Sequence, residues 1–355
     1  MFDLVKPLLF CLDAENAHRL TIEALKRNLT PAVKPVNDPA LRVELCGRVF
    51  PNPVGLAAGF DKNAEVITPM LKLGFGFVEV GTVTIKPQKG NPRPRVFRDP
   101  DHGAVINRMG FPNKGVGAFK SNLHKFLTHK PRLQGVVGIN IGMNKDQTDA
   151  ASDYTALIRT LGPLSDYITI NISSPNTPGL RNLQEKEPLT ELLGAVLDER
   201  AKSCGVHPPP VFVKLAPDLD DAQVKDIADV LLSLKIDGVI LTNTTLYRPE
   251  ELPQDFREQK GGLSGAPLTD LSTAMIRRFY ALTDGCIPII GAGGISSGED
   301  AYAKIRAGAT LVQLYSGLVF HGPALIRKIN LDLLELLRSD GFSHITEAIG
   351  ADHST

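Results

Sequence analysis

What this chain of 355 residues lacks narrows its function before any motif is read. It has no tryptophan and four cysteines, Cys11, Cys46, Cys204 and Cys286, scattered without a CxxC pair. That spacing argues against a disulfide framework or a zinc site and points to a reducing cytosol. Neither sign of charge is in excess: Lys plus Arg and Asp plus Glu are 39 each, so net charge gives no reason to expect nucleic acid as a partner. Residues 1 to 12 are apolar but interrupted by Asp3, Lys6 and Pro7. No run approaches the ~20 apolar residues of a membrane span, and a chain neither spanning a bilayer nor cleaved for export is expected. An HExxH motif, a His/Asp/Glu cluster at metal-ligand spacing and a GxSxG elbow are all missing. Metal-assisted hydrolysis and α/β-hydrolase chemistry fall away with them, and no metal is expected. His18, His102 and His321 stand alone. Packing or surface roles suit them, with His18 the exception because it lies on an apolar N-terminal head.

What is present begins with that head. Phe2, Val5, Leu8 and Leu9, then Leu20, Ile22 and Leu25 after Asp13 as N-cap, predict two short helices, each with an apolar face. Such a pair either packs on the main domain or faces a membrane surface or an apolar ligand's entrance. A linker with Pro31, Pro35 and Pro39 follows. The expected division is an N-terminal helical subdomain with its linker at 1–40, a barrel at 41–345 and a C-terminal tail at 346–355.

From Pro53 short runs of Val, Ile and Leu alternate with helical segments. The predicted strands are residues 54–57, 77–83, 136–141, 167–172, 211–215, 238–242, 288–291 and 311–315. Near-continuous apolar strands joined by helices imply a parallel sheet covered on both faces, and eight repeats imply an α/β fold, a (β/α)8 TIM barrel. A doubly wound open sheet is the alternative. Residues 85–111 are too long and too rich in Pro, Arg and Gly for a simple connection, so an inserted hairpin or lid above the mouth is predicted.

Polar residues collect at the strands' C-terminal ends, the catalytic face of such a barrel. Ala58, Gly59 and Lys62 follow the first strand, Thr82 the second and Asn140 to Lys145 the third. After the fourth, Asn171 to Gly179 (NISSPNTPG) holds two amides and two serines in a loop stiffened by two prolines. A self-satisfied turn would explain that cluster alone. Lys214, Thr242 and Asn243 lie on the next two strands, and residues 261–265 form a following loop. Two lysines beside five asparagines suit an anionic, carbonyl-rich ligand. Gly291 to Gly294 end the seventh strand and Tyr315, Ser316 and Gly317 the eighth, where barrels hold phosphate on backbone N–H groups; Ser296 and Ser297 then open a helix. A phosphosugar-binding barrel, catalytic or not, would also carry such clusters.

Residues 55–62 (GLAAGFDK), 107–111 (NRMGF), 171–177 (NISSPNT), 242–245 (TNTT) and 261–265 (GGLSG) resemble dihydroorotate dehydrogenase along nearly the whole chain. The N-terminal helices, and a serine where the soluble class has cysteine, resemble the quinone-dependent, membrane-associated class. A soluble-type flavin enzyme using fumarate or a nicotinamide is the nearer alternative. The resemblance implies oxidation of dihydroorotate to orotate in pyrimidine biosynthesis by a flavin mononucleotide (FMN) enzyme, with electrons passed to a membrane quinone. Ser174 is then the base, with Thr177 and the Phe111 loop organising a proton relay, and N5 of FMN takes the hydride. FMN would be held by Ala58, Gly59, Lys62, Thr82, Asn140, Asn171, Lys214, Thr242, Gly265, Gly294, Tyr315 and Ser316. The substrate would meet Lys62, Asn107, Arg108, Met109, Gly110, Phe111, Asn171, Asn176 and Asn243, and the quinone His18 and Arg98. The class also implies peripheral attachment to the cytoplasmic face of the cell membrane. Met143 departs from the family pattern, where lysine is expected.

Overall fold

The computed structural model describes residues 2–29, 33–129, 133 and 135–353. Pro31 of the expected linker and the last two residues of the expected tail lie outside them. Eight parallel strands close into a barrel in chain order: Val54–Leu56, Phe77–Val83, Val136–Ile141, Tyr167–Asn171, Val211–Leu215, Gly238–Leu241, Ile289–Ala292 and Leu311–Leu314. Each lies within one residue of its predicted ends, because every strand is a buried apolar run with a polar residue or glycine near its C-terminal limit. The closed barrel rules out the open-sheet alternative.

The barrel floor is filled by aromatic rings seated over glycines. A Cβ on Gly55 would overlap the Phe77 ring, one on Gly138 the Tyr167 ring and one on Gly238 the Phe212 ring. Small positions beside large ones let a closed sheet reach interior packing density. Below them an antiparallel hairpin, Val43–Leu45 with Arg48–Phe50, puts the Phe50 ring edge-on at 5.3 Å from Phe77. These strands are too short for periodicity to reveal, and the sequence reading did not anticipate them.

The insertion carries the predicted hairpin, Val96–Asp99 paired with Ala104–Asn107. Gly262–Gly265 joins it as a third antiparallel strand, which corrects the reading of residues 261–265 as loop. Its pairing partner lies some 160 positions earlier, and only the fold brings the two together. Ile106, Leu252, Phe256 and Leu263 give this lid a small apolar core of its own.

Both head helices are present: α1 at Phe2–Cys11 and α2 at Ala14–Lys26. The Asp13 carboxylate accepts from the N–H groups of Glu15 and Asn16 at 3.1 Å, as an N-cap does. Glu15 ties α2 to the lid through a two-pronged pair with Arg95 (2.6 and 2.9 Å) and a contact with Arg93 (2.8 Å). Leu4 and Leu8 on α1 remain 81% and 71% exposed, so the outward face of the pair is apolar.

Candidate active site

The mouth is organised by amides that satisfy one another. The Asn171 amide donates to Thr82 Oγ1 and to Asn140 Oδ1, both at 3.0 Å, and its carbonyl accepts from Ser173 Oγ at 3.2 Å and Asn243 Nδ2 at 3.4 Å. The side chains of the second, third, fourth and sixth strand ends thereby form one network. Asn243 also donates to Ser173 Oγ at 2.9 Å. Buried amides locked this way have little freedom to reorganise, the condition for recognising a polar planar ligand.

Beneath this layer lies a group the sequence reading missed. Glu79 is fully buried, and its carboxylate accepts from Asn140 Nδ2 (2.8 Å), the Tyr167 hydroxyl (2.9 Å) and Gln313 Nε2 (2.9 Å). A single acidic residue inside the otherwise apolar run 77–83 was the available signal. The Lys214 ammonium faces it. Burial pulls the Lys214 pKa down and the Glu79 charge holds it up, while no hydrogen bond to a described residue occupies the ammonium. A buried cation opening into a cavity without a partner is available to a ligand.

Lys62 donates to the Gly59 carbonyl at 2.5 Å. Burial lowers its pKa to about 8, against the opposing charges of Glu15 and Asp61. His18 lies within 5.2 Å of the Phe60 ring and 6.3 Å of Tyr315. Burial, then the charge of Lys62, depresses its pKa to about 3, so the ring is neutral at physiological pH. Ser174 is buried, and its Oγ accepts from the Asn176 N–H at 3.2 Å. The Thr177 hydroxyl is buried with no hydrogen-bond partner among the described residues. Asn176 reaches Asn107 of the lid at 3.3 Å.

The phosphate expectation rests on Gly293 and Gly294. Gly294 has φ +78°, and Thr269 stands where its side chain would be, so only glycine fits. Thr269 Oγ1 and Ser272 Oγ donate to the carbonyls of Gly294 and Gly293 at 3.0 and 2.9 Å, turning the carbonyls away from the mouth. Ser297 caps the helix Gly298–Arg306 as expected. Ser316 opens the helix Ser316–His321 and meets Ser264 of the lid at 2.9 Å.

One cavity of about 720 Å³ gathers nearly all the predicted residues. Its inner end is the polar mouth. Its outer end runs between α1 and α2, past Val5, Leu8, Leu9, His18 and Leu20. Two side chains stand apart from it. Asn140 lies underneath, bonded to Asn171, Thr82 and Glu79. Arg108 turns outward onto Gln259, the Lys260 carbonyl and the Phe97 ring, so its side chain does not reach a substrate in the cavity. Arg98 borders the cavity, but its guanidinium caps the C-terminal carbonyls of α1, Leu12 at 2.6 Å foremost. Met143 is buried in the core, and Asn144 holds the base of the lid through Lys86 and Gln88.

The family model described as Dihydroorotate dehydrogenase matches residues 40–337. The chain belongs to the dihydroorotate dehydrogenase family. Its relatives include the dihydroorotate dehydrogenase (quinone) of Azorhizobium caulinodans, 52% identical over 354 residues and covering 99% of each chain. The mitochondrial dihydroorotate dehydrogenase (quinone) of Mus musculus is 52% identical over 96% of this chain and 87% of its own. A crystal structure of the Eimeria tenella dihydroorotate dehydrogenase in complex with ferulenol superposes with TM-score 0.92 at 41% identity, covering 96% of each chain. Membership of the dihydroorotate dehydrogenase family removes the phosphosugar-barrel alternative, and the relatives place the chain in the quinone-dependent class.

Proposed function

We infer that the protein oxidises dihydroorotate to orotate in pyrimidine biosynthesis and delivers the electrons to a quinone. One observation carries this reading: an amide-lined polar mouth, with the Lys214 ammonium free of hydrogen bonds to the described residues, opens directly into an apolar passage between two N-terminal helices. A polar planar substrate and an apolar acceptor are thus suited to the two ends of one cavity.

The mouth suits FMN. The polar row Thr82, Asn171 and Thr242, held from beneath by Asn140, with Ala58, Gly59, Lys62 and the Lys214 ammonium, matches the edge of a flavin ring. Gly265, Gly294, Tyr315 and Ser316 border the side where the glycine backbone is free of side chains for a phosphate. Bound there, FMN would accept a hydride from the substrate and return the electrons to quinone. Asn107, Asn176 and Asn243 both donate and accept, and Lys62 supplies a cation, which complements a small cyclic carboxylate with ring carbonyls and N–H groups. Met109, Gly110 and Phe111 close the site from the lid side. Ser174 takes the proton from the substrate carbon beside the carbonyl. Its burial excludes water, and the partnerless Thr177 hydroxyl is placed to pass the proton on.

His18, neutral and edge-on to Phe60, offers the quinone a hydrogen bond without a charge in an apolar passage. Arg98 holds that passage open by capping α1. Residues 1–40 serve as the quinone-access part, 41–345 as the catalytic barrel and 346–355 as a tail. The exposed leucines of α1 rest on the cytoplasmic surface of the membrane, with no span of it needed. The test is an absorption spectrum of purified protein. Flavin bands that bleach anaerobically on adding dihydroorotate, and return on adding quinone, are expected; colourless protein, or bands indifferent to dihydroorotate, would overturn the reading.

A further inference from the structure

Among the described residues the Ser174 hydroxyl accepts one hydrogen bond, from the Asn176 N–H two positions along the same loop. Its position must therefore be set by neighbours. The turn Leu180–Gln184, which follows Gly179 at φ +74°, brings Arg181 back beneath the loop. Arg181 Nε donates to the Ser173 carbonyl at 3.0 Å, one of its terminal nitrogens to the Thr244 carbonyl at 3.0 Å and the other to Asp218 Oδ2 at 2.8 Å. These three acceptors lie on the loops after the fourth, sixth and fifth strands. Asp218 is fixed in turn by Thr245 Oγ1 and by the Leu246 N–H at 3.1 Å. Gln184 pins the end of the same turn by accepting from the Ala216 N–H at 2.9 Å.

We propose that Arg181 is a positioning residue: its guanidinium fixes the loop of Ser174 against the loop of Asn243, setting the distance between proton acceptor and substrate amide. Arg181 is not among the residues that line the cavity. Only a planar fork with donors at fixed angles satisfies three acceptors on three loops; an ammonium on a flexible stem holds fewer of them in register. The proposal rests on Ser174 as base and adds to it the device that keeps Ser174 in place.

The test compares Arg181→Ala and Arg181→Lys holoenzymes with the parent in two half-reactions and in amide hydrogen exchange. In Arg181→Ala, flavin reduction by dihydroorotate should slow about ten- to hundredfold, the scale of a displaced catalytic group. Reoxidation by quinone and flavin content should stay unchanged, exchange should rise in the three braced loops, residues 172–179, 216–218 and 243–246, and not elsewhere, and added guanidinium ion should restore part of the rate. Arg181→Lys should lie between. Unchanged exchange with unchanged reduction would overturn the proposal, as would equal loss in both half-reactions. If Arg181→Ala does not fold, Asp218→Asn, which keeps the arginine and loosens its anchor, should show the same selective loss at smaller size; an equal loss in both half-reactions there would also overturn it. Ser174→Ala separates the two ideas. Wild-type reduction in that variant removes the base assignment, while the exchange result still judges the clamp.

Discussion

The barrel mouth and the helical head are built on opposite principles, although one cavity joins them. At the mouth the amides are held by several neighbours: Asn171 alone engages Thr82, Asn140, Ser173 and Asn243. The head is attached at few points, Glu15 to Arg93 and Arg95, Arg98 to the end of α1, and the Phe10 ring 6.0 Å from Phe320. Lys26 adds an ion pair to Glu65 at 3.5 Å, and the exposed residues of the head include Leu4, Leu8 and Leu20. Hydrogen bonds are directional and burial of apolar surface is not. Proton removal beside a carbonyl needs atoms placed to within a fraction of an ångström. Admission of an apolar molecule needs only an apolar passage of adequate width. On the proposed function, each region uses the kind of force its step requires.

The sharpest way to break this contrast is at its most precise point. Ser174→Ala should slow flavin reduction by dihydroorotate by ~10² or more, the usual scale for losing a general base. Reoxidation by quinone should be untouched. Rapid mixing checks both, and a wild-type reduction rate would send the search for the base to Thr177 or a bound water.

Removing residues 1–30 should produce the mirror image. The flavin should still bleach with dihydroorotate, while reoxidation by a long-chain quinone falls about tenfold or more, equivalent to ~1.4 kcal/mol in the barrier. Membrane association should be lost, as vesicle sedimentation would show. Truncated protein that folds, keeps its flavin and turns over long-chain quinone at the full rate would leave the head a structural appendage.

The smallest effect lies where the regions meet, at Lys62. Its pKa of about 8 lies below the ordinary 10.5, so its charge is present below about pH 8 and lost above. Between those values the unfolded chain holds the extra proton, and the stability contributed by this group rises with pH. Function moves the other way. The kcat/KM for dihydroorotate should fall about fourfold half a unit above the Lys62 value, as a single titrating cation in the free enzyme requires. Lys62→Arg should carry that limb beyond the measurable range; an identical limb in the variant would assign it to another group.

How much of this was legible in the sequence follows from what each kind of signal reports. Strand positions, barrel closure and the polar C-terminal rim were readable because buried strands need long apolar runs, and their interruptions fall at strand ends. The two helices of the head and the Asp13 cap were readable from helical spacing. The family motifs likewise marked the residues around the cavity, with Arg108 the side chain that turned away.

Other features depended on tertiary structure. Whether residues 261–265 form loop or strand turned on pairing with Ala104–Asn107, which no local pattern encodes. Glu79 looked like a lone charge in an apolar run until the barrel placed Asn140, Tyr167 and Gln313 around it. Arg181 carried no signal in the sequence, because its three acceptors come from loops more than sixty positions apart at their widest. By itself, then, the sequence determined which segments are strands and helices and which residue types meet at the mouth, since hydrophobic period and polar interruption are local properties. Only the tertiary structure decided which side chains face the cavity, which buried charges are paired and which arginine braces the loops, because those depend on distances between segments remote in the chain.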